Sequence, residues 1–243
     1  MPYIITDSVT VLTIGEKVFQ VVKSEPYHSQ FTELVLQGED AAAKALHLAH
    51  NKAETIIPLP FSVVDGELRY NGRVVNSSIG KRVVEMSKQG LEVEPALLFI
   101  KNLDYNPSNN SIVQLYDFLQ NNDLPMTSDG CFIAFKKINS DYTDCFTGKI
   151  SNAIGEVVSM RRGDVNDDKY ETCSHGLHVC SYEYLRSFGG GRLVAVKVNP
   201  KDVVSVPTDY ENSKMRVCEY TVVEELDEDE VIKNNGKFDS AVY

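Results

Sequence analysis

The sequence predicts an α+β chain: a small N-terminal strand-helix-meander unit, an αα-hairpin, and then a mostly antiparallel, β-rich C-terminal unit. Three observations predict it. Short β-branched runs lie on both sides of a helical centre. Two turn signals, Asp65-Gly66 and Asn71-Gly72, separate runs close enough to form hairpins. After Pro125 the apolar runs follow one another with a single helical stretch among them. With 243 residues and 42% hydrophobic side chains, the chain can bury a core without disulfide or metal staples.

Taken in order, Tyr3–Thr6, Val9–Ile14 and Val18–Val22 read as strands, with Gly15-Glu16-Lys17 turning between the last two. Gly-Glu-Lys also brings a phosphate loop to mind, but the other glycines and the following Ser or Thr are missing. Phe31, Leu34 and Val35 have helical spacing, Gly38 interrupts it, and the alanine-rich run to Ala49 forms a second helix. FSVVDGELRYNGRVV reads as a three-stranded meander, and Asn76-Ser77-Ser78 can cap a helix that ends at Gly90. Glu94-Pro95 opens a helix apolar nearly all round. Asn106-Pro107-Ser108 stops it and caps a partner in which Ile112, Leu115, Tyr116 and Leu119 share a face. Strands are expected at Cys131–Ile138, Glu156–Met160, Leu177–Cys180, Leu193–Val198, Val203–Val206 and Arg216–Val223, with a helix at Tyr182–Phe188. This organisation divides into 1–90, an α+β unit; 91–122, the helical hairpin; 123–223, the β-rich domain; and 224–243, an acidic tail in which EELDEDE carries six acids and no base.

Composition narrows the function. A net charge of −11 argues against nucleic-acid binding, which rests on neutralising phosphates with Lys and Arg. No apolar run reaches the ~20 residues of a membrane span, the start carries no secretory pattern, and the five scattered cysteines suit reduced thiols. A cytoplasmic protein is expected.

Candidate chemistry concentrates between Met160 and Cys180. Cys173, His175, His178 and Cys180 are zinc-type ligands within eight residues. Their spacing is wrong for a usual site, because each pair shares a strand face with only Gly176-Leu177 between the pairs. A turn with inert thiols is the plainer reading, with a metal-stabilised binding module and a Cys–His nucleophile as the alternatives. Arg161 and Arg162 could meet an acidic patch, but adjacent strand residues point opposite ways. Gly189-Gly190-Gly191 reads as a helix-to-strand loop, and the aspartates at 141–144 and 164–168 as turns lacking the pattern of a calcium loop. Arg161, Arg162, Asp164, His175 and His178 therefore form the candidate binding surface. No metal or other cofactor is expected.

Asn102–Val223 resembles the C-terminal half of the rIIB proteins of T-even and related bacteriophages. The resemblance rests on Asn106-Pro107-Ser108, Leu115-Tyr116 with Phe118-Leu119, Asp129-Gly130, TCSHGLHVCS at Thr172–Ser181, and Lys197–Pro207, all in order. It implies an early phage protein acting with an rIIA-like, GHKL-type ATPase partner. Such a protein would lie in the host cytoplasm, peripheral to the inner membrane, and would serve lysis inhibition and protection against prophage exclusion. A second likeness is to the split sheet of ADP-ribosyltransferases. In that reading Lys136 or Lys137 stands where an Arg or His holds NAD, the strand with His178 lines the nicotinamide pocket, and Glu219 orients the ribose. It leaves an NAD-using enzyme open, with Glu219, His178 and Lys136 as its catalytic candidates.

Overall fold

The computed structural model describes residues 3–15, 17–50, 57, 60–75, 78–121, 124–185, 191–209 and 212–233. Glu16, the Asn76-Ser77 cap, the loop glycines Gly189 and Gly190, and everything after Lys233 lie outside them. The fold is α+β, and every strand pair among the described residues is antiparallel. The chain forms two compact units, residues 1–59 with 84–91, and residues 60–83 with 92–243.

In the first unit, β1 (Tyr3–Ile5), β2 (Val9–Ile14) and β3 (Lys17–Val22) make a sheet in chain order, followed by α1 (His28–Leu36) and α2 (Asp40–His50). Strand alternation puts Leu12, Phe19 and Val21 on one face, against Tyr27, Phe31 and Val35 of the helical segment and Ala43 of α2. Buried polar groups there are paired: Thr10 bonds Thr32 at 2.7 Å, and His47 meets the Tyr27 hydroxyl at 3.3 Å. Gly38 adopts φ +75°, the left-handed turn that ends α1.

The second unit opens with the meander β4 (Phe61–Val64), β5 (Glu67–Tyr70) and β6 (Arg73–Val74). Both of its turns have positive φ at each central residue, the hairpin geometry that Asp-Gly and Asn-Gly favour. The helix α3 (Ser78–Lys88) belongs to this unit up to Val83 and to the first unit from Val84, and the helical hairpin that follows is α4 (Glu94–Asp104) and α5 (Asn109–Asn121), with Pro95 in the first turn of α4 where its missing N–H costs nothing.

The remaining strands are β7 (Phe132–Ile138), β8 (Val157–Ser159), β9 (Leu177–Cys180), β10 (Arg192–Val198), β11 (Val203–Ser205), β12 (Lys214–Val217) and β13 (Glu219–Leu226), with short helices α6 (Tyr182–Leu185) and α7 (Glu228–Lys233). They form one sheet in the order β11-β12-β9-β7-β10-β13-β8. The run Arg216–Val223, which reads as one strand, is two. Only Cys218 separates β12 from β13, yet β9, β7 and β10 lie between them in the sheet. In a flat sheet their ends would stand roughly 19 Å apart, beyond the ~7 Å that the two Cα steps through one residue can span. The sheet must therefore curl until β12 and β13 join as one bent strand.

Curling encloses one face. Ala134, Val194, Val196, Met215, Val217 and Val222 line it and are fully buried, each valine and the methionine contributing about 1.5–3 kcal/mol on the scale of apolar transfer. On the other face Phe135, Cys180 and Leu193 pack with Leu185 of α6 and Val231 of α7. The acidic run is thus partly folded: Glu228, Asp229 and Glu230 occupy the first turn of α7, where a helix dipole favours acids, and Glu228 pairs with buried Lys137 at 2.7 Å.

Candidate functional site

The segment from Met160 to Cys180 is fastened at both ends by arginines. Arg162 begins a 3-10 turn, Arg162–Asp164, and donates to the carbonyls of Lys201 (3.0 Å) and Val203 (2.9 Å) and to Asn106 Oδ1 (2.9 Å). Asn106, between α4 and α5, in turn donates to the carbonyls of Pro200 and Val203 at 3.0 and 2.8 Å. Ser111 and Gln114 of α5 bond the Val204 carbonyl and the Val206 amide, so the helix covers the edge strand β11. Asp129 meets Lys197 at 3.1 Å, while Asn102 holds the Asp129 and Gly130 carbonyls.

Arg216 of β12 is the second fastening. Its side chain is wholly buried, and its guanidinium donates to Ser205 Oγ (2.8 Å), the Glu171 carbonyl (2.6 Å) and the Asp168 carbonyl (2.5 Å). Burial lowers its pKa, while the surrounding acids Glu171, Asp168, Asp209 and Asp167 oppose that shift. Gly176 (φ +150°) lies directly against it: a Cβ there would come within 2.9 Å of Val165 and 3.2 Å of the Arg216 Cδ. The loop between is braced by Asn166, whose side chain reaches Ser174 (2.7 Å) and Glu171 (2.5 Å), and whose amide bonds the His175 carbonyl.

The predicted site residues separate on this frame. Arg162 faces inward, whereas Arg161, Asp164 and His175 are exposed, with the His175 Nδ1 on the Asp164 carbonyl at 2.7 Å. Cys173 is exposed; Cys180 is buried and donates to the Phe135 carbonyl, and burial pushes its thiol up to about 12. Among the described residues, no three His, Cys, Asp or Glu side chains come together to hold a metal ion. No hydrogen bond or ion pair joins the side chains of Lys136, His178 and Glu219 to one another. The Phe135–Cys180 register puts His178 on the face of Phe135, opposite Lys136. The Lys136 ammonium lies over the Tyr220 ring, 5.7 Å from its centroid, which leaves Glu219 on the other face from Lys136. Lys136 donates to the backbone carbonyl of His178 at 2.9 Å, and burial lowers its pKa. The Tyr220 hydroxyl donates to buried Asn152. Arg216 was missed by sequence reasoning because a lone Arg in a strand reads as solvent-facing. The available signal was four acids between Asp164 and Glu171, with Lys169 as their sole base.

His178 carries a testable consequence. Burial, then the charges of Lys136, Arg216 and Lys214, lower its pKa to about 4. The unfolded chain, titrating near 6.5, therefore binds more protons between those values. Stability is present above pH 6.5 and is lost as pH falls toward 4. About 2 kcal/mol should go between pH 7 and pH 5. Urea unfolding at the two pH values should show a smaller acid loss for His178→Gln by that amount; an equal loss would contradict the assignment.

The family model for bacteriophage T4 protein rIIB matches residues 3–232. Protein rIIB of Enterobacteria phage T4 is 41% identical over 207 residues, covering 83% of this chain and 66% of that protein, so the match spans a little under two thirds of the relative's length. No solved structure matches.

Proposed function

We propose that this chain, which belongs to the bacteriophage T4 rIIB family, is an accessory protein of infection that works by contact with other proteins rather than by catalysis. Its role in this reading is lysis inhibition and protection of the infection against exclusion by a resident prophage. Its partner is an rIIA-like ATPase in the host cytoplasm, through which it reaches the inner membrane peripherally. No helix among the described residues is long and apolar enough to cross a membrane.

The observation that carries this reading is the use made of polar groups that hold the segment from Met160 to Cys180. Arg162, Arg216 and His175 bond the protein's own backbone carbonyls. A group with its donors so used holds a loop in shape. What this frame turns outward is Arg161, Asp164, Asp167 and Tyr170, the last 74% exposed. An exposed loop on a rigid scaffold is where recognition residues collect, and an aromatic side chain amid charges is a common contact residue.

The test is co-purification with the rIIA-like ATPase of the same phage, together with complementation of an rIIB-deficient phage. Asp164→Lys combined with Tyr170→Ala should cut recovery of the ATPase at least about tenfold, with the thermal melt unchanged. Full recovery and full complementation by this double variant would remove the loop from the account.

A further inference from the structure

The β7–β8 connection ends in a feature that the loop above does not explain. Thr143 bridges Ser151, and the Asp144 amide bonds the Ile150 carbonyl, so residues 143–151 form a narrow hairpin with Phe146 near its tip. Phe146 is 97% exposed. Folding ordinarily buries a phenylalanine, and one left in water forgoes the burial that makes aromatic side chains dominate interfaces.

The tip is built to hold it there. The Asp144 carboxylate accepts from the amides of Phe146 (3.2 Å), Thr147 (2.6 Å), Lys149 (3.1 Å) and Ile150 (2.9 Å), and from the Thr147 hydroxyl (2.6 Å). These donors hold its pKa far below the usual carboxylate range. Gly148 takes φ +65° to close the turn. The base is equally fixed: Tyr142, itself at φ +64°, donates to Glu225 at 2.6 Å and is covered by the Arg192 guanidinium 4.6 Å from its ring centroid. Such a tip loses little freedom on binding, which is the economy of a preorganised anchor.

Charge selects the occupant. Residues 139–159 carry Asp141, Asp144 and Glu156 against Lys149 alone, and the hairpin base rests on the acidic end of β13. An anionic bilayer attracts clusters of Lys and Arg; a second copy of this chain would bring a like charge to the same place. We infer that Phe146 is an aromatic anchor that enters an apolar pocket, rimmed by basic side chains, on another protein. This rests on the reading that the chain works by protein contact, and adds a second contact surface to it.

The test replaces Phe146 by p-benzoylphenylalanine in the full chain, expressed during infection and irradiated, with the adduct identified by mass spectrometry. The expected result is an adduct with one other protein. Once purified, that protein should bind Phe146→Ala at least about tenfold more weakly than wild type, with Phe146→Leu in between. All three chains should melt alike, because the side chain contacts solvent. No adduct, an adduct with a second copy, equal affinities, or an adduct with lipid would each overturn the inference. For the lipid case, flotation of wild type but not Phe146→Ala on phosphatidylethanolamine–phosphatidylglycerol vesicles gives the independent reading. If the adduct is a protein other than the rIIA-like ATPase, the anchor stands and the ATPase is decided separately by its own co-purification test. If the adduct is the ATPase and it nevertheless binds wild type and Phe146→Ala equally, the anchor falls and the proposed partner stands.

Discussion

Arg216→Met should destabilise the second unit by about 3–5 kcal/mol, because three acceptors lose their donor at about 1–3 kcal/mol each. The substitution leaves the Asp168 and Glu171 carbonyls and the Ser205 hydroxyl without their donor in a place where the replaced side chain was fully shielded from water. Against the 5–15 kcal/mol that holds a typical domain together, this is a large fraction. Urea unfolding should show the midpoint fall steeply, and limited proteolysis should cut within 165–175 before the sheet unfolds. Arg216→Lys should recover only part of the loss, because one ammonium cannot span three acceptors set in a fork. A midpoint within experimental scatter of wild type would mean that the loop is held by something other than this guanidinium.

Gly130→Ala carries a comparable cost for a different reason. Gly130 adopts φ +74°, and a Cβ on it would fall 2.4 Å from the Leu98 carbonyl carbon and 2.5 Å from the Phe99 amide nitrogen. Those atoms are backbone of α4, which cannot yield as a flexible side chain would. The helix would have to move off the turn, disturbing the Phe99–Phe132 ring contact at 6.3 Å and the Asn102 bonds to Asp129 and Gly130. Overpacking and left-handed strain together should cost about 3 kcal/mol or more. Gly148→Ala is the internal comparison: its φ is +65° and nothing lies within 4 Å of the added carbon, so only the strain of about 1–2 kcal/mol is expected. Equal unfolding midpoints for the two variants would show that the approach to α4 is not tight.

The meander and the helical hairpin were legible because their signals are local. Asp65-Gly66 and Asn71-Gly72 require positive φ, and Pro95 and Asn106-Pro107-Ser108 mark helix boundaries within a few residues. The division at Cys218 was not legible. Arg216–Val223 has continuous strand character, and what breaks it is the closure of a curled sheet, a long-range event with no residue of its own to announce it. Arg216 was hidden for a related reason: its acceptors include backbone carbonyls of residues far off in sequence, which leave no side-chain pattern. The blocks that carried the family resemblance turn out to interlock. Asn106 meets Pro200 and Val203, Asp129 meets Lys197, and Gly176 of the Thr172–Ser181 block lies against Arg216. Those blocks therefore mark scaffold.

The central claim, that this scaffold works by binding another protein, is tested most directly by calorimetric titration of the full chain with the purified rIIA-like ATPase of the same phage. The account predicts saturable binding, weakened by high salt as befits acidic loops meeting a basic surface, and no consumption of labelled NAD by the complex. Absence of binding at micromolar concentrations, together with NAD turnover that Glu219→Ala abolishes, would contradict it.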